Sequence, residues 1–399
     1  MYNSMKIRNS KCNIETKLFL LLIFILIFQG LIEELITSFK YFDELLALSF
    51  FFVALKNKKT TITKSSFITV ILLIVLLLDG IAGAQINSTQ PINAVLGDVI
   101  LVFKFYLCYG VSKILFSYDK LKQNKERIEN VIYFISIVLS MLTVTNYIFK
   151  IWTFEKRYGV MSNRLFFSHP SVLASTAVIL ISLSFAFSSG KKRRVSISLS
   201  LLLLGSSLRF TAIGSAVVCL LIALYIRRTR RKVTITKFVY VGFIAIIIAW
   251  NQITYYFFKL EGSARRQLIL KAIEIAKDYF PVGTGFGSFG SYMSAVYYSD
   301  VYYKYGLSNI WGLSPQKTSF ITDGYWPMVL GQFGVLGVII VVILLIQILK
   351  DVQESFKTQQ MNFYICKIIS FTYLMISSVG SSAYVNPMAI PFAIILGME

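Results

Sequence analysis

Long apolar blocks separated by short charged breaks recur from one end of the chain to the other. A helix needs about 20 mostly apolar residues to cross a hydrocarbon core of roughly 30 Å. On that measure the blocks predict about twelve spans, at 18–38, 42–55, 66–84, 95–115, 129–149, 171–188, 195–207, 210–226, 238–258, 324–349, 363–380 and 384–397. Leu18 to Leu35 follows a basic start containing Lys6, Arg8, Lys11 and Lys17, as a signal peptide would, but no small-residue cleavage site closes it. It is read as an uncleaved first span. The pattern predicts a single integral membrane domain over 1–399, with nine spans in 18–258, an external loop subdomain at 259–322 and three spans in 323–399.

Composition supports that solvent. Hydrophobic residues make up 56% of 399 positions and charged residues 15%, and the mean hydropathy is +0.68, whereas soluble chains carry about 25% charged residues. A net charge of +21 and a pI near 9.7 could suit nucleic acid, but the placement of the charge argues otherwise. Alternate breaks hold 26 of the 40 Lys and Arg residues, the intervening breaks hold 13, and Lys104 lies inside a span. The positive-inside rule then places both termini in the cytoplasm, with the basic breaks on anionic lipid headgroups. The four cysteines, Cys12, Cys108, Cys219 and Cys366, are scattered and form no CxxC, which suggests neither a disulfide framework nor a zinc site.

The breaks on the other side depart from what anchoring requires. Three contain arginines against the charge rule: 150–170, the tight turn at Arg209, and the long stretch 259–322. A connection of that last length is expected to be folded and functional. Inside it, Gly262 to Asp278 has Leu268, Ile269, Ala272, Ile273 and Ala276 at helical spacing, which predicts an amphipathic helix at the membrane surface carrying Arg265 and Arg266. The run from Pro281 to Gly287 brings Gly283, Gly285 and Gly287, read either as a plain turn or as backbone approaching a ligand. Tyrosines and Trp311 follow, suited to a membrane interface or to sugar rings. Asp323, just before the tenth span and beside Tyr325, either caps a helix or faces a cavity. Arg209 has no loop long enough to carry it far from the bilayer, so it needs an anionic neighbour unless it snorkels to the headgroups. Arg164 has the same alternatives. His169, the sole histidine, is either a helix-entry residue before Pro170 or a hydrogen-bonding or proton-transferring group. One histidine without a carboxylate cluster does not make the usual metal site.

Four patches taken in order resemble the O-antigen polymerase and O-antigen ligase superfamily of bacterial membrane glycosyltransferases. They are RLFFSHPSVLA from Arg164, GSSLRFTA from Gly205, Arg265 to Phe289 with its basic helix and spaced glycines, and TDGYWPMVLGQFGVLG from Thr322. They span 164–337; the first 150 residues match only in being membrane helices. The resemblance implies a GT-C-like, all-α polytopic membrane fold in the bacterial cytoplasmic (inner) membrane. It places the family's external arginines on Arg164, Arg209 and Arg265 or Arg266. The arginine-ten-residues-glycine repeat of some polymerases is not met, since Ala276 and Lys277 stand where glycine would. The histidine usual in the large loop of ligases is missing from 259–322, which favours the polymerase.

The implied reaction joins lipid-linked repeats: an undecaprenyl-diphosphate-linked glycan donor is transferred to an acceptor repeat, with inversion and with Asp323 as candidate base. Arg209, Arg265 and Arg266 would stabilise the diphosphate leaving group without a metal or other cofactor, while Arg164, His169, Gly283, Gly285, Gly287 and Tyr325 would contact substrate. Membrane lipids and a flippase and chain-length regulator of the same pathway are the implied partners, and nucleic acid is not one. The alternatives are ligase-like transfer of glycan to lipid, protein or wall acceptor, and a polysaccharide flippase or transporter. A transporter is expected to show similar halves or charges in several spans.

Overall fold

The structure, a computed structural model, describes residues 13–56, 64–157, 159–234, 236–237, 240, 262–356 and 360–399. Nine helices occupy the N-terminal part: α1 (Ile14–Leu35), α2 (Phe42–Lys56), α3 (Lys64–Asn87), α4 (Ile92–Leu115), the short α5 (Tyr118–Gln123), α6 (Lys125–Phe149), α7 (Pro170–Phe187), α8 (Gly190–Ser206) and α9 (Phe210–Thr229). After the next described segment begins come α10 (Ala264–Asp278), α11 (Tyr292–Val296), α12 (Asp300–Lys304), α13 (Tyr325–Glu354), α14 (Met361–Ser378) and α15 (Ala389–Gly397). The only sheet among the described residues is a hairpin of β1 (Glu155–Arg157) and β2 (Val160–Ser162), with Glu155 opposite Ser162.

Among the described residues eight helices, α1, α3, α4, α6, α7, α9, α13 and α14, are long and apolar enough to cross a membrane. Eleven of the twelve expected spans coincide with a helix; the ninth, 238–258, lies outside the described residues apart from Tyr240. Three of the eleven fall short: α2 has 15 residues, α8 has 17 and α15 has 9. At 1.5 Å per residue α15 is about 14 Å long, less than half the hydrocarbon core. The expected span 384–397 is therefore a half-helix after a coil containing Pro387. All its residues are buried: it is apolar because α4 and α14 enclose it, and hydropathy does not separate protein from lipid as the apolar neighbour.

α7 lies at the centre, packed on α6, α8, α9 and α14. It is hydrophobic on all sides, the pattern of an enclosed helix. Its few hydroxyls are satisfied within the helix: Ser182 donates to the Val178 carbonyl at 2.9 Å and Ser184 to the Leu180 carbonyl at 2.6 Å. α3 and α4 flank a broken helix, α13, which kinks at Gly334 (φ 58°, ψ −158°). A break frees backbone groups that apolar surroundings cannot satisfy. The glycine run supplies the partners: Thr284 N donates to Gly331 O at 3.0 Å, Gly285 N to Gln332 O at 2.7 Å, and Leu336 N to Pro281 O at 3.1 Å.

Residues 283–291 are thus buried among α3, α4 and α13. Phe286 N donates to Gly80 O at 3.1 Å, and Gly287 N to Asp98 Oδ2 at 2.7 Å. Gly285 shows why the run is glycine: its φ is +82°, and a Cβ there would lie 1.9 Å from Ala84 N.

The loop subdomain has its own core of Leu268, Ala272, Ile275, Phe289, Tyr302, Leu313 and Ile321. The spacing of α10 suggested an apolar face at the membrane surface, and part of that face is covered by protein instead. Leu268, Ala272 and Ala276 are buried in protein, and Leu270 and Ile273 are exposed. A buried stripe and a membrane-facing stripe have the same period, so the sequence does not tell them apart. Tyr302 ties the subdomain to the glycine run: its hydroxyl accepts from Gly290 N at 2.8 Å, and burial pushes its pKa above the usual phenol value.

Candidate functional site

Helices of alternating direction bring one set of ends together around a cavity of about 920 Å³. Its wall takes Gln29 from the last turns of α1, Glu44 from the start of α2, Asp98 from the first half of α4 and Lys104 from its middle, and Thr211 from the start of α9. Met328 near the start of α13, Ser377 at the end of α14 and the coil before α15 complete it. The other ends meet elsewhere: Lys113 of α4 pairs with Asp351 of α13, and Gln353 Nε2 donates to Val233 O at 2.6 Å. The basic breaks belong to that second set.

Arg209 is the N-cap residue of α9, held by a turn in which Leu208 has φ 48°. Its side chain is 10% exposed, and Nη2 donates to Glu155 Oε2 at 2.7 Å and to His169 Nε2. On the other side of the ring, Ser171 N donates to His169 Nδ1 at 3.2 Å, and Ser171 Oγ lies 2.6 Å from the same nitrogen. Glu155 reaches this group from β1, and its Oε1 is 3.6 Å from His169 Nε2. A carboxylate and an imidazole from the connection between α6 and α7 thus meet a guanidinium from the turn before α9 at one point on the wall.

The second arginine station comes from the loop subdomain. Arg265, in the first turn of α10, donates through Nε to Asp323 Oδ2 at 3.1 Å. Asp323 precedes α13 and is turned toward Arg265; the N-cap residue of α13, Gly324, makes no side-chain capping bond. Arg265 and Asp323 both line the cavity.

Of the residues singled out from the sequence, Arg209, His169, Arg265 and Asp323 share this cavity. The others do not line it. Arg164 braces the loop before His169, through Thr153 Oγ1 at 2.9 Å and Ser168 O at 3.1 Å. Arg266 lies half-buried on α10. Gly283, Gly285 and Gly287 pack into the helix bundle as described. Tyr325 is enclosed, its ring tilted against that of Tyr384 and its hydroxyl 3.4 Å from that of Tyr106.

The sequence reading missed Glu155, Lys40, Glu44, Asp98 and Gln29. Lys104 and Asp98 carried a usable signal, since charged groups inside an apolar run mark functional cavities. Asp43 and Glu44 at the start of the short second block gave another. Lys104 is 1% exposed and pairs with Asp43 at 2.5 Å and Glu44 at 3.2 Å. The charged wall is close to balanced: four cations (Lys40, Lys104, Arg209, Arg265) face five carboxylates (Glu33, Glu44, Asp98, Glu155, Asp323). An anion bound by Arg209 or Arg265 therefore competes there with Glu155 or Asp323. A diphosphate can do so because it offers a guanidinium paired, charge-assisted bonds.

The fold and cavity define a mostly helical protein with, among the described residues, eight helices fit to cross a membrane and a charged cavity at one set of helix ends. Compared with protein-family models and with curated proteins, the chain matches none.

Proposed function

We propose that the chain is a membrane glycosyltransferase that polymerises undecaprenyl-diphosphate-linked repeat units into surface polysaccharide, such as O-antigen, capsule or exopolysaccharide. The reading puts the cavity at the external face of the bacterial cytoplasmic membrane, opposite the basic breaks, with both termini in the cytoplasm. The observation that carries it is the convergence of Arg209 and Arg265, from separate loops, on one cavity at the helix ends away from those breaks.

In the proposed reaction the acceptor hydroxyl oxygen attacks the anomeric carbon of the donor from the face opposite the diphosphate. The bond from that carbon to the diphosphate oxygen breaks, and its electron pair leaves on the diphosphate. Arg209 and Arg265 receive the developing charge. The hydroxyl proton passes to a carboxylate freed when the diphosphate takes its arginine. Asp323 and Glu155 are the two such groups, and His169 Nε2, released from Arg209, is a third acceptor of the same kind.

A deletion strain tests the reading directly. Single repeats accumulating on lipid are expected; long chains left unattached would indicate a ligase, and normal chains would reject both. In a purified assay, transfer is expected to continue in EDTA because the arginines supply the positive charge. Loss of transfer on chelation, restored by a divalent ion, would overturn the arginine-only mechanism.

A further inference from the structure

Other residues lining the cavity, besides the arginines, have a chemical character of their own. Gln29, 6% exposed, directs its amide nitrogen at three acceptors: Phe39 O at 3.4 Å, Lys40 O at 3.3 Å and Asp43 Oδ1 at 3.2 Å. These fix the orientation of the amide, so Oε1 is left as an acceptor, buried and without a partner. Glu44 spends Oε1 on Lys104 and leaves Oε2 in the same condition. Asp98, fully buried beside Ser291, receives Gly287 N and Gln332 Nε2 on Oδ2, at 2.7 and 2.8 Å, and Oδ1 is unpartnered. Asn386 Oδ1, in the coil before α15, is a fourth such atom. All four residues line the cavity.

Buried acceptors without donors are costly, about 1–3 kcal/mol each, and native structures contain few of them. Four on one wall of one cavity call for a ligand rich in hydroxyl or N–H donors. A metal cation would also satisfy them, but Lys104 already places a fixed positive charge 3.2 Å from Glu44 Oε1, which opposes a second cation. A sugar meets the demand, because each hydroxyl donates one hydrogen bond and a ring presents several. A volume of about 920 Å³ lies within the roughly 300–1,000 Å³ of ligand pockets.

We infer that the wall formed by Gln29, Glu44, Asp98 and Asn386 is a glycan subsite that accepts hydrogen bonds from sugar hydroxyls, next to a phosphate end at Arg209 and Arg265. The inference rests on the proposed function, because it assumes that the cavity holds a diphosphate-linked glycan. The two ends then divide the recognition. The arginines hold the group common to all such lipids, and the acceptor wall reads the sugar.

The test uses the full-length protein in lipid nanodiscs and two probes, undecaprenyl diphosphate and the diphosphate-linked oligosaccharide that accumulates in the deletion strain. Dissociation constants are read by native mass spectrometry. The unmodified protein is expected to bind the glycosylated lipid at least tenfold more tightly than the bare one. Glu44→Gln, which replaces the free acceptor with a donor of the same shape, and Asn386→Ala should each reduce that margin by about three- to tenfold. Binding of the bare lipid should stay unchanged, which also shows that the variants fold. Equal affinity for the two lipids in the unmodified protein overturns the glycan subsite and leaves the phosphate end standing. Binding of ²²Na⁺ that Glu44→Gln abolishes, with no change in the margin, identifies a cation site and overturns it too. If neither lipid binds, the proposed function fails and the inference fails with it.

Discussion

Arg209 lies between Glu155 and His169 with a tenth of its side chain exposed. An arginine so enclosed needs partners on both sides of its planar fork, and a lysine in its place offers one point charge. Arg209→Lys is therefore expected to lower polymerisation on the order of tenfold or more while the protein still accumulates. Arg228→Lys, at an exposed position near the end of α9, serves as the control and should be neutral. Chain-length profiles of the two strains check this; normal long polymer from both would reduce Arg209 to an anchor at the membrane surface. An anionic neighbour was one of two readings legible in the sequence, the other being a guanidinium that snorkels to the headgroups. That Glu155 is the neighbour was not, since 54 residues and two helices separate them.

Helices were the easiest elements to read, because apolar length alone specifies them. The glycine run shows where that reading stops. Its spacing left open a plain turn or backbone approaching a ligand, and the structure shows a close approach to protein: the kinked α13 and the glycine-bearing face of α3, where a Cβ on Gly83 would sit 2.8 Å from Gly285 N. Gly285→Ala should consequently destabilise the protein, since it adds a Cβ at positive φ against backbone that cannot withdraw. A loss of at least about 1–3 kcal/mol is expected. Thermal unfolding in detergent measures it as a fall of several degrees. Gly205→Ala, with nothing within 4 Å of the added carbon, should show no fall. Equal melting temperatures for the two variants would mean that the run is held loosely and is free to close on a ligand.

Across the whole molecule, the arrangement makes a statement about sidedness. Reporter fusions at Lys192 and Arg230 should read as cytoplasmic, and fusions at Gln90 and Ser314 as external, following the 26 to 13 division of basic residues. A cytoplasmic signal at Ser314 would put the cavity on the wrong face for a lipid-linked glycan polymer. The order of apolar blocks determined by itself that the chain is helical and built for a membrane, because hydrocarbon imposes one length and one composition on any segment that crosses it. The same order marked Arg209, His169, Arg265 and Asp323 through charge and position in the breaks. Only the tertiary structure decided that these four share a cavity, that Lys104 and Glu44 line it too, and that α15 is an enclosed half-helix. The physical reason is that hydropathy records which surroundings a side chain prefers. Protein interior and lipid answer that preference equally, and which polar groups meet depends on helix packing between positions far apart in the chain.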